Sequence, residues 1–224
     1  MPRPIIINHT VKKFNKKIKV NGDKSLSIRF ALLASQAIGK SKAYNLLKSE
    51  DVVSTINCLK KLGVKIKWDK KNNFCQINGN GLNSYVYKNN LTLNGNNSGT
   101  CVRLLTALLI NSSKKIKIIG DKSLSKRDMK RIIDPLTEFG ATFYPKNKNT
   151  LPLYIKGSNY LTPINYLELK GSSQCKSSVM LAALLTPGET KLKCKPSRNH
   201  TELLFKYLKI PIKIKKIKNF EIIK

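Results

Sequence analysis

Five short clusters of serine, glycine, asparagine and basic residues punctuate this chain, and the chemistry they suit is anion binding. They read G-D-K-S-L-S-I-R at 22–29, N-S-G-T-C-V-R at 97–103, G-D-K-S-L-S-K-R at 120–127, S-S-Q-C-K-S at 172–177 and S-R-N-H-T-E at 197–202. The first follows a strand-like run, Ile18–Val20, and the turn-forming Asn21, and it opens an apolar run, Phe30–Ile38. Lys24, Ser25 and Arg29 therefore stand on the opening turns of an expected helix. Unpaired backbone N–H groups and the positive end of the helix dipole favour an anion there. The device recurs at Ser98-Gly99 and at Ser172-Ser173-Gln174, and all three point at one anionic substrate pair.

Arginine sharpens this reading. Of 43 Lys+Arg residues, only Arg3, Arg29, Arg103, Arg127, Arg131 and Arg198 are arginine. In a chain that uses lysine almost everywhere, arginine marks positions needing a planar, bidentate donor for phosphate or carboxylate. Arg29, Arg103, Arg127 and Arg198 fall beside the Ser- or Gly-rich turns. For Arg103 and Arg131 a bracing role stands level with a ligand role. Blander readings exist for the other residues. Ser25, Ser172 and Ser173 have the usual alternative of helix N-caps, and Gly99 that of a turn residue. Cys101 and Cys175 read as small helix-packing residues, His200 as structural and Lys176 as a solvated lysine. Asp23, Asp51 and Asp121 read as turn or cap residues, which leaves no candidate carboxylate base.

The elements that must position these clusters follow from periodicity and punctuation. After strand-like runs at 5–7 and 16–20, a first unit has a helix over 25–38, a strand near Ala43-Tyr44 and a helix from Ser49 to Leu62. A hairpin of Val64–Trp68 and Phe74–Ile77 closes it. The second has a helix from Asn97, with apolar positions at 102, 104, 105, 108 and 109, and a strand at Ile116–Ile119. A turn over Gly120–Arg127 leads to a helix ending at Phe139-Gly140, then to a hairpin of Ala141–Tyr144 and Leu153–Ile155. The third has a strand at Leu167–Leu169, a helix over Ser177–Leu185, a strand at Thr190–Cys194 and a helix from Ser197–His200. Its hairpin is Ile210–Ile214 with Phe220–Ile223. Ser25, Ser98 and Ser173 recur about every 75 residues, a repeat signal. The pattern predicts an α/β fold of three strand-helix-strand-helix-hairpin units with pseudo-threefold symmetry, at about 21–80, 91–157 and 165–224.

The 224 residues, 41% of them hydrophobic, suffice for one large domain or two small ones. The formal net charge of +31 raises a nucleic-acid partner, but lysine is scattered through every segment, which suits an A/T-rich codon bias better. Only Lys206–Lys218 is clustered, and aromatic residues do not interleave with basic ones as a stacking platform requires. No specific nucleic acid is therefore expected. Five cysteines without C-x-x-C and two histidines predict reduced thiols and no metal site. No apolar run has membrane-spanning length, no signal-peptide core opens the chain, and a cytoplasmic location is expected.

The five clusters, in order and with their spacing, resemble the 5-enolpyruvylshikimate-3-phosphate synthase family, and the resemblance covers nearly the whole chain. It implies a lobe of three such units, which is half of a two-lobed enzyme. Residues 1–20 would belong to the other lobe and 21–224 to the substrate-binding lobe. It further implies transfer of the enolpyruvyl group of phosphoenolpyruvate to the 5-hydroxyl of shikimate 3-phosphate, without a cofactor. Lys24 would lie between both substrates as the catalytic lysine. Shikimate 3-phosphate would be held by Lys24, Ser25, Arg29, Ser172, Ser173, Gln174 and Arg198. Phosphoenolpyruvate would be held by Lys24, Asn97, Gly99, Arg127 and Gln174, with Asn97–Thr100 as the tight turn over it. The missing half would supply the base, so a second polypeptide is an expected partner and this chain alone an inactive one. Two positions depart from the family pattern: Cys194 stands near a binding serine of some members, and Asn199 replaces the aspartate of S-R-D-H-T-E. Two other readings are a UDP-N-acetylglucosamine enolpyruvyl transferase-like enzyme, against which Lys24-Ser25 and the 120–127 segment speak, and a basic nucleic-acid-binding protein.

Overall fold

The computed structural model describes residues 20–224 throughout, together with residues 6, 8–10, 13, 15, 17 and 18. The strand-like runs expected at 5–7 and 16–20 contain positions outside the described residues. Three helices form the centre: α1 (Lys24–Gln36), α3 (Gly99–Ala107) and α5 (Ser173–Ala183). Each is apolar or small on nearly every side and buries most of its length. Ala, Ser, Cys and Gly let their backbones approach closely. Their buried hydroxyls are satisfied locally, as where Ser35 Oγ donates to the Leu32 carbonyl at 2.6 Å and Thr106 Oγ1 to that of Val102 at 2.6 Å.

Two of the outer helices are amphipathic. In α2 (Glu50–Lys61), Val52, Thr55, Ile56 and Leu59 face inward at helical spacing. In α4 (Lys130–Glu138), Ile132, Pro135 and Leu136 do the same. The third, α6 (His200–Tyr207), is only eight residues long and buries Thr201, Glu202 and Phe205. A 3₁₀ turn, Leu124–Lys126, lies within the 120–127 cluster, between β5 and α4.

Three small sheets cover the helices. The first pairs β1 (Ile38–Tyr44), β3 (Phe74–Asn80) and β2 (Lys65–Asp69) in the order β1-β3-β2, antiparallel throughout. The second contains β4 (Thr92–Asn94), β5 (Ile116–Ile119), β6 (Thr142–Tyr144) and β7 (Leu153–Lys156). Its order is β4-β5-β7-β6, with β4 and β5 parallel and the other pairs antiparallel. The third contains β8 (Asn165–Glu168), β9 (Lys191–Cys194), β10 (Ile214–Ile217) and β11 (Phe220–Ile223). Its order is β8-β9-β11-β10, with β8 and β9 parallel. The result is a mixed α/β fold, as expected from the alternation of helical and strand periods.

Several boundaries move. The helix expected through residue 38 ends at Gln36, and β1 begins at Ile38 rather than near Ala43. Along β1, Ile38, Gly39 and Lys40 are all exposed, so no inward-outward alternation marks that part of the strand. It forms through its full register with β3, from Ile38 opposite Asn80 to Tyr44 opposite Phe74. Helix α5 starts at Ser173, not Ser177, because Ser172 caps it. Strand β10 starts at Ile214 rather than Ile210; Pro211 has no N–H to give a ladder. Strand β4 carried no signal of its own beyond three residues, Thr92–Asn94. Among the described residues no helix is long and apolar enough to cross a membrane.

Candidate functional site

The N-termini of the three central helices lie at one end of the fold, and side chains from each tie them together. Helix α1 is capped by Asp23, whose Oδ1 accepts the Leu26 N–H at 2.7 Å. Ser25, one of the expected cap candidates, is thereby left without a capping task; it is half-buried, and its hydroxyl has no hydrogen-bond partner among the described residues. Ser98 caps α3 through the Cys101 N–H at 3.1 Å, and Ser172 caps α5 through the Cys175 N–H at 3.3 Å. The three capping positions are thus Asp23, Ser98 and Ser172, so the equivalent of Ser98 is two residues before Ser25 and one before Ser173.

Gly99, Arg103, Arg127 and Gln174 form the densest part of the site. A Cβ on Gly99 would stand 2.9 Å from Arg103 Nη1 and 3.4 Å from Arg127 Nη1, so both guanidinium groups flank this glycine. Its φ is not left-handed, and the need for glycine here is one of space. Arg127 also reaches Asn97, donating from Nη2 to Oδ1 at 3.1 Å, while Asn97 Nδ2 donates to Asp121 Oδ2 at 2.6 Å. Gln174, on the first turn of α5, accepts from Arg103 Nη1 at 2.6 Å and donates to Thr100 Oγ1 at 2.9 Å. Asn97, Gly99, Arg127 and Gln174, four residues expected around one ligand, are therefore brought together. Of the two roles that stood level for Arg103, the bracing one is visible in its contacts. Arg103 braces Gln174 and the Asp128 carbonyl (Nη2, 3.0 Å), and its buried Nε has no partner. Burial holds the Arg103 guanidinium below its ordinary pKa, and repulsion from Arg131 and then Arg127 adds to this, with Asp128 opposing. The buried Arg131 Nε is likewise unpartnered.

The second part joins α1, α5 and α6. Arg29 is buried and spends its guanidinium inside the protein. Nε donates to Thr201 Oγ1 and Nη2 to Ser177 Oγ, both at 2.7 Å, and Nη1 donates to the Ser25 carbonyl at 3.2 Å. Burial lowers its pKa, Glu202 and Asp23 partly offset this, and Arg198 adds repulsion. Arg198 itself is exposed, just before α6. Lys24, at the first position of α1, is half exposed, with Nζ 3.6 Å from Asp51 Oδ2. Ser173 is half-buried and its hydroxyl has no hydrogen-bond partner among the described residues. Asn199 precedes α6 without making a side-chain cap. Cys194 lies fully buried on β9, within the sheet.

Three features carried no usable sequence signal. Lys176, expected in solvent, is fully buried and paired with Glu202 at 2.5 Å and Glu221 at 3.3 Å. Ser177 and Thr201 hold Arg29. Glu168, also buried, accepts the N–H groups of Lys170 (3.0 Å), Gly171 (2.8 Å) and Ser172 (3.1 Å) and so shapes the turn into α5. Burial pushes the Cys175 thiol up to about 12, and a hydrogen bond with Cys58, reinforced by burial, holds that of Cys101 well above its usual value. Both therefore pack as neutral thiols despite lying at helix starts.

An EPSP synthase (3-phosphoshikimate 1-carboxyvinyltransferase) family model matches residues 9–223. A 3-phosphoshikimate 1-carboxyvinyltransferase of Petrotoga mobilis is 39% identical over 195 residues, which are 86% of this chain and 45% of the relative. That of Ruthia magnifica is 42% identical over 203 residues, 90% of this chain and 46% of the relative. The chain spans about half the length of the curated relatives it matches. Among solved structures, an EPSP synthase from Acinetobacter baumannii superposes with a TM-score of 0.82 at 33% identity, over 92% of this chain and 46% of that one. The enolpyruvyl transferase NikO from Streptomyces tendae, at 13% identity and a TM-score of 0.63, shares the fold.

Proposed function

The chain belongs to the EPSP synthase family, and on that premise we propose that it is the N-terminal half of a 3-phosphoshikimate 1-carboxyvinyltransferase, whose substrate-binding lobe is residues 21–224. The three sheets, each on a pair of helices, support three copies of one unit with pseudo-threefold symmetry, at about 21–80, 91–157 and 165–224. Residues 1–20 would join the other lobe. In the complete reaction the 5-hydroxyl of shikimate 3-phosphate loses its proton as its oxygen bonds to C2 of phosphoenolpyruvate and the methylene carbon gains a proton. The bond from C2 to the phosphate oxygen then breaks, the methyl carbon gives a proton back to restore the double bond, and phosphate leaves. The enzyme would act in the cytoplasm, where five free, buried cysteines remain thiols.

One observation carries the reading. Arg131 and Arg127 both lie close enough to repel Arg103, with Asp128 as the carboxylate that opposes them there, and the Arg103 and Arg127 guanidinium groups flank Gly99 at the start of α3. Two buried guanidinium N–H groups there have no partner. Like charges gathered with unpaired donors are unfavourable in isolation and favourable around a bound polyanion. Phosphoenolpyruvate, with its phosphate and carboxylate, would sit over Gly99 against Arg127, Asn97 and Gln174. Shikimate 3-phosphate would take the adjoining ground of Ser25, Ser172, Ser173, Gln174 and Arg198. Arg29 would contribute its remaining Nη1 edge and would otherwise set the positions of α1, α5 and α6. Lys24 would stand between the two ligands, exchanging Asp51 for substrate.

Calorimetry at low salt tests the substrate assignment. Shikimate 3-phosphate should bind the chain with a Kd on the order of millimolar, weakening as salt screens the exposed cations. Arg198→Ala should weaken it further, and heat indistinguishable from that of inorganic phosphate would overturn the assignment. A second test concerns Gly99. In Gly99→Ala the new Cβ displaces the flexible ends of Arg103 and Arg127 rather than backbone. The thermal midpoint should therefore stay within about 4 °C of the parent, while affinity for phosphoenolpyruvate falls on the order of 10- to 100-fold. Unchanged affinity would remove Gly99 from the site.

A further inference from the structure

The outer helices α2, α4 and α6 end alike, yet only two of the ends are covered. Each finishes in a Schellman motif. Gly63, Gly140 and Lys209 take left-handed φ values of 84°, 115° and 56°. Their N–H groups bond the carbonyls of Lys60, Thr137 and Lys206, and the next residues, Val64, Ala141 and Ile210, bond those of Leu59, Leu136 and Phe205. In the first two units, the chain leaving the hairpin then folds back over both helix ends. Gly81 donates to the Ala37 carbonyl at 3.0 Å, and five residues on Val86 donates to that of Leu62 at 3.0 Å. Gly157 and Ser158 donate to Ser112 and Ile110, both at 2.8 Å, and Thr162 then donates to Phe139 at 3.2 Å.

Nothing among the described residues does this in the third unit. The Leu208 carbonyl, equivalent to those of Leu62 and Phe139, accepts no backbone N–H, nor do the carbonyls of residues 185–188 at the end of α5. The apolar groups that a covering segment would shield are open. Leu62 and Phe139 are 0% exposed, whereas Leu208 is 49% and Tyr207 82% exposed. Between the ends of α5 and α6 and strands β9 and β11 lies an apolar cavity of about 530 Å³, lined by Met180, Ala183, Phe205, Ile210 and Ile223 among others. It is bounded by Ala183 and Leu184 at the end of α5 and by Ile210 and Pro211 just after α6, the two ends that a covering segment joins in the other units.

We propose that this edge of the third unit is a docking surface for an extended, glycine-led apolar polypeptide segment from outside residues 1–224. Two backbone N–H groups four or five residues apart would anchor it, one at the end of α5 and one on Leu208. Glycine is required at the inner anchor by the second unit's example, where a Cβ on Gly157 would stand 2.3 Å from the Ser112 nitrogen. The second unit is also the better template at the outer anchor. A Cβ on Gly63 would meet the Val86 carbonyl oxygen at 2.5 Å, but one on Gly140 meets that of Tyr160 at 3.2 Å. Only the latter path accommodates the side chain of Lys209.

The probe is the octapeptide Gly-Ser-Asn-Tyr-Leu-Thr-Pro-Ile, the chain's own residues 157–164, added in trans to the full chain. Methyl NMR signals of Met180, Ile210 and Ile223 should shift saturably, with a Kd of about 1 mM or below. N-methylation of the threonine, which removes the donor to Leu208, should weaken binding about tenfold or more. Ala183→Trp, which fills the cavity, should abolish it; should that variant fail to fold, the N-methylated peptide still decides. Absence of saturable shifts, or equal affinity of the two peptides, overturns the proposal. So does a chain that sediments as a dimer and is made monomeric by Leu208→Asp, because a second copy then covers this edge. The surface lies at the opposite ends of the central helices from the anion site, so failure here leaves the substrate assignment standing.

Discussion

Supplied with phosphoenolpyruvate and shikimate 3-phosphate, the purified 224-residue chain should release no inorganic phosphate above the enzyme-free background. The reaction needs a base at the 5-hydroxyl and a proton at the methylene carbon, and positioned acid-base groups are worth about 10²- to 10⁴-fold. The carboxylates near the site are occupied. Asp23 caps α1, Asp121 caps the 3₁₀ turn (2.7 Å to the Leu124 N–H) and holds Asn97, and Asp51 faces Lys24. Asp128 accepts the Lys130 N–H at 2.8 Å, and Glu168 accepts three N–H groups. The cluster also lies open, with Lys24, Arg127 and Arg198 all in contact with solvent, so water is not excluded. Adding a polypeptide that carries the remaining half of a relative should raise phosphate release above background, and Lys24→Met in this chain should abolish the gain. Turnover by the 224-residue chain alone would show that a base exists within it.

The largest effect on stability is expected at Lys176. Its ammonium is fully buried between Glu202 and Glu221 and also donates to the Ser197 carbonyl at 3.4 Å. It thereby links α5 to α6 and to β11. Lys176→Ala leaves two buried carboxylates facing each other without a cation. Breaking a buried pair in this way costs about 3–5 kcal/mol, which in a chain of this size lowers the thermal midpoint by on the order of 10 °C. Replacing all three by apolar residues, Lys176→Met with Glu202→Leu and Glu221→Leu, should recover most of that loss, because the desolvation penalty of the ions disappears with them. A Lys176→Ala midpoint within about 2 °C of the parent would show that the network contributes little. Near this network Arg29 takes its partners from α5 and α6, so loss of Lys176 should also loosen the second part of the anion site.

Short-range chemistry made much of this protein legible in one dimension. Glycine, serine and aspartate at helix starts are read by backbone groups three residues away. That is why the five clusters, the central helices and the glycines after α2 and α4 could be located from the sequence, and why Asp23 and Asp121 could be assigned to caps, whereas Asp51, read the same way, makes no cap among the described residues and faces Lys24 from the first turn of α2. The choice between neighbouring serines was a matter of one turn's geometry. Asp23 took the cap for which Ser25 was a candidate, which leaves the half-buried Ser25 hydroxyl without that task.

What the sequence left open depends on residues distant along the chain. Arg29 meets Ser177 and Thr201 across 148 and 172 residues, and Gln174 meets Arg103 across 71. No local pattern distinguishes Lys176 from the many solvated lysines, because its burial is created by Glu202 and Glu221 arriving from α6 and β11. Strand β1 likewise exists through its register with β3 rather than through alternation of its own. The residue types suited to holding anions were thus set by composition and spacing. Which guanidinium faces inward, which lysine is buried and which helix end stays uncovered were decided only when the three units packed, since burial, pairing and repulsion belong to the folded chain.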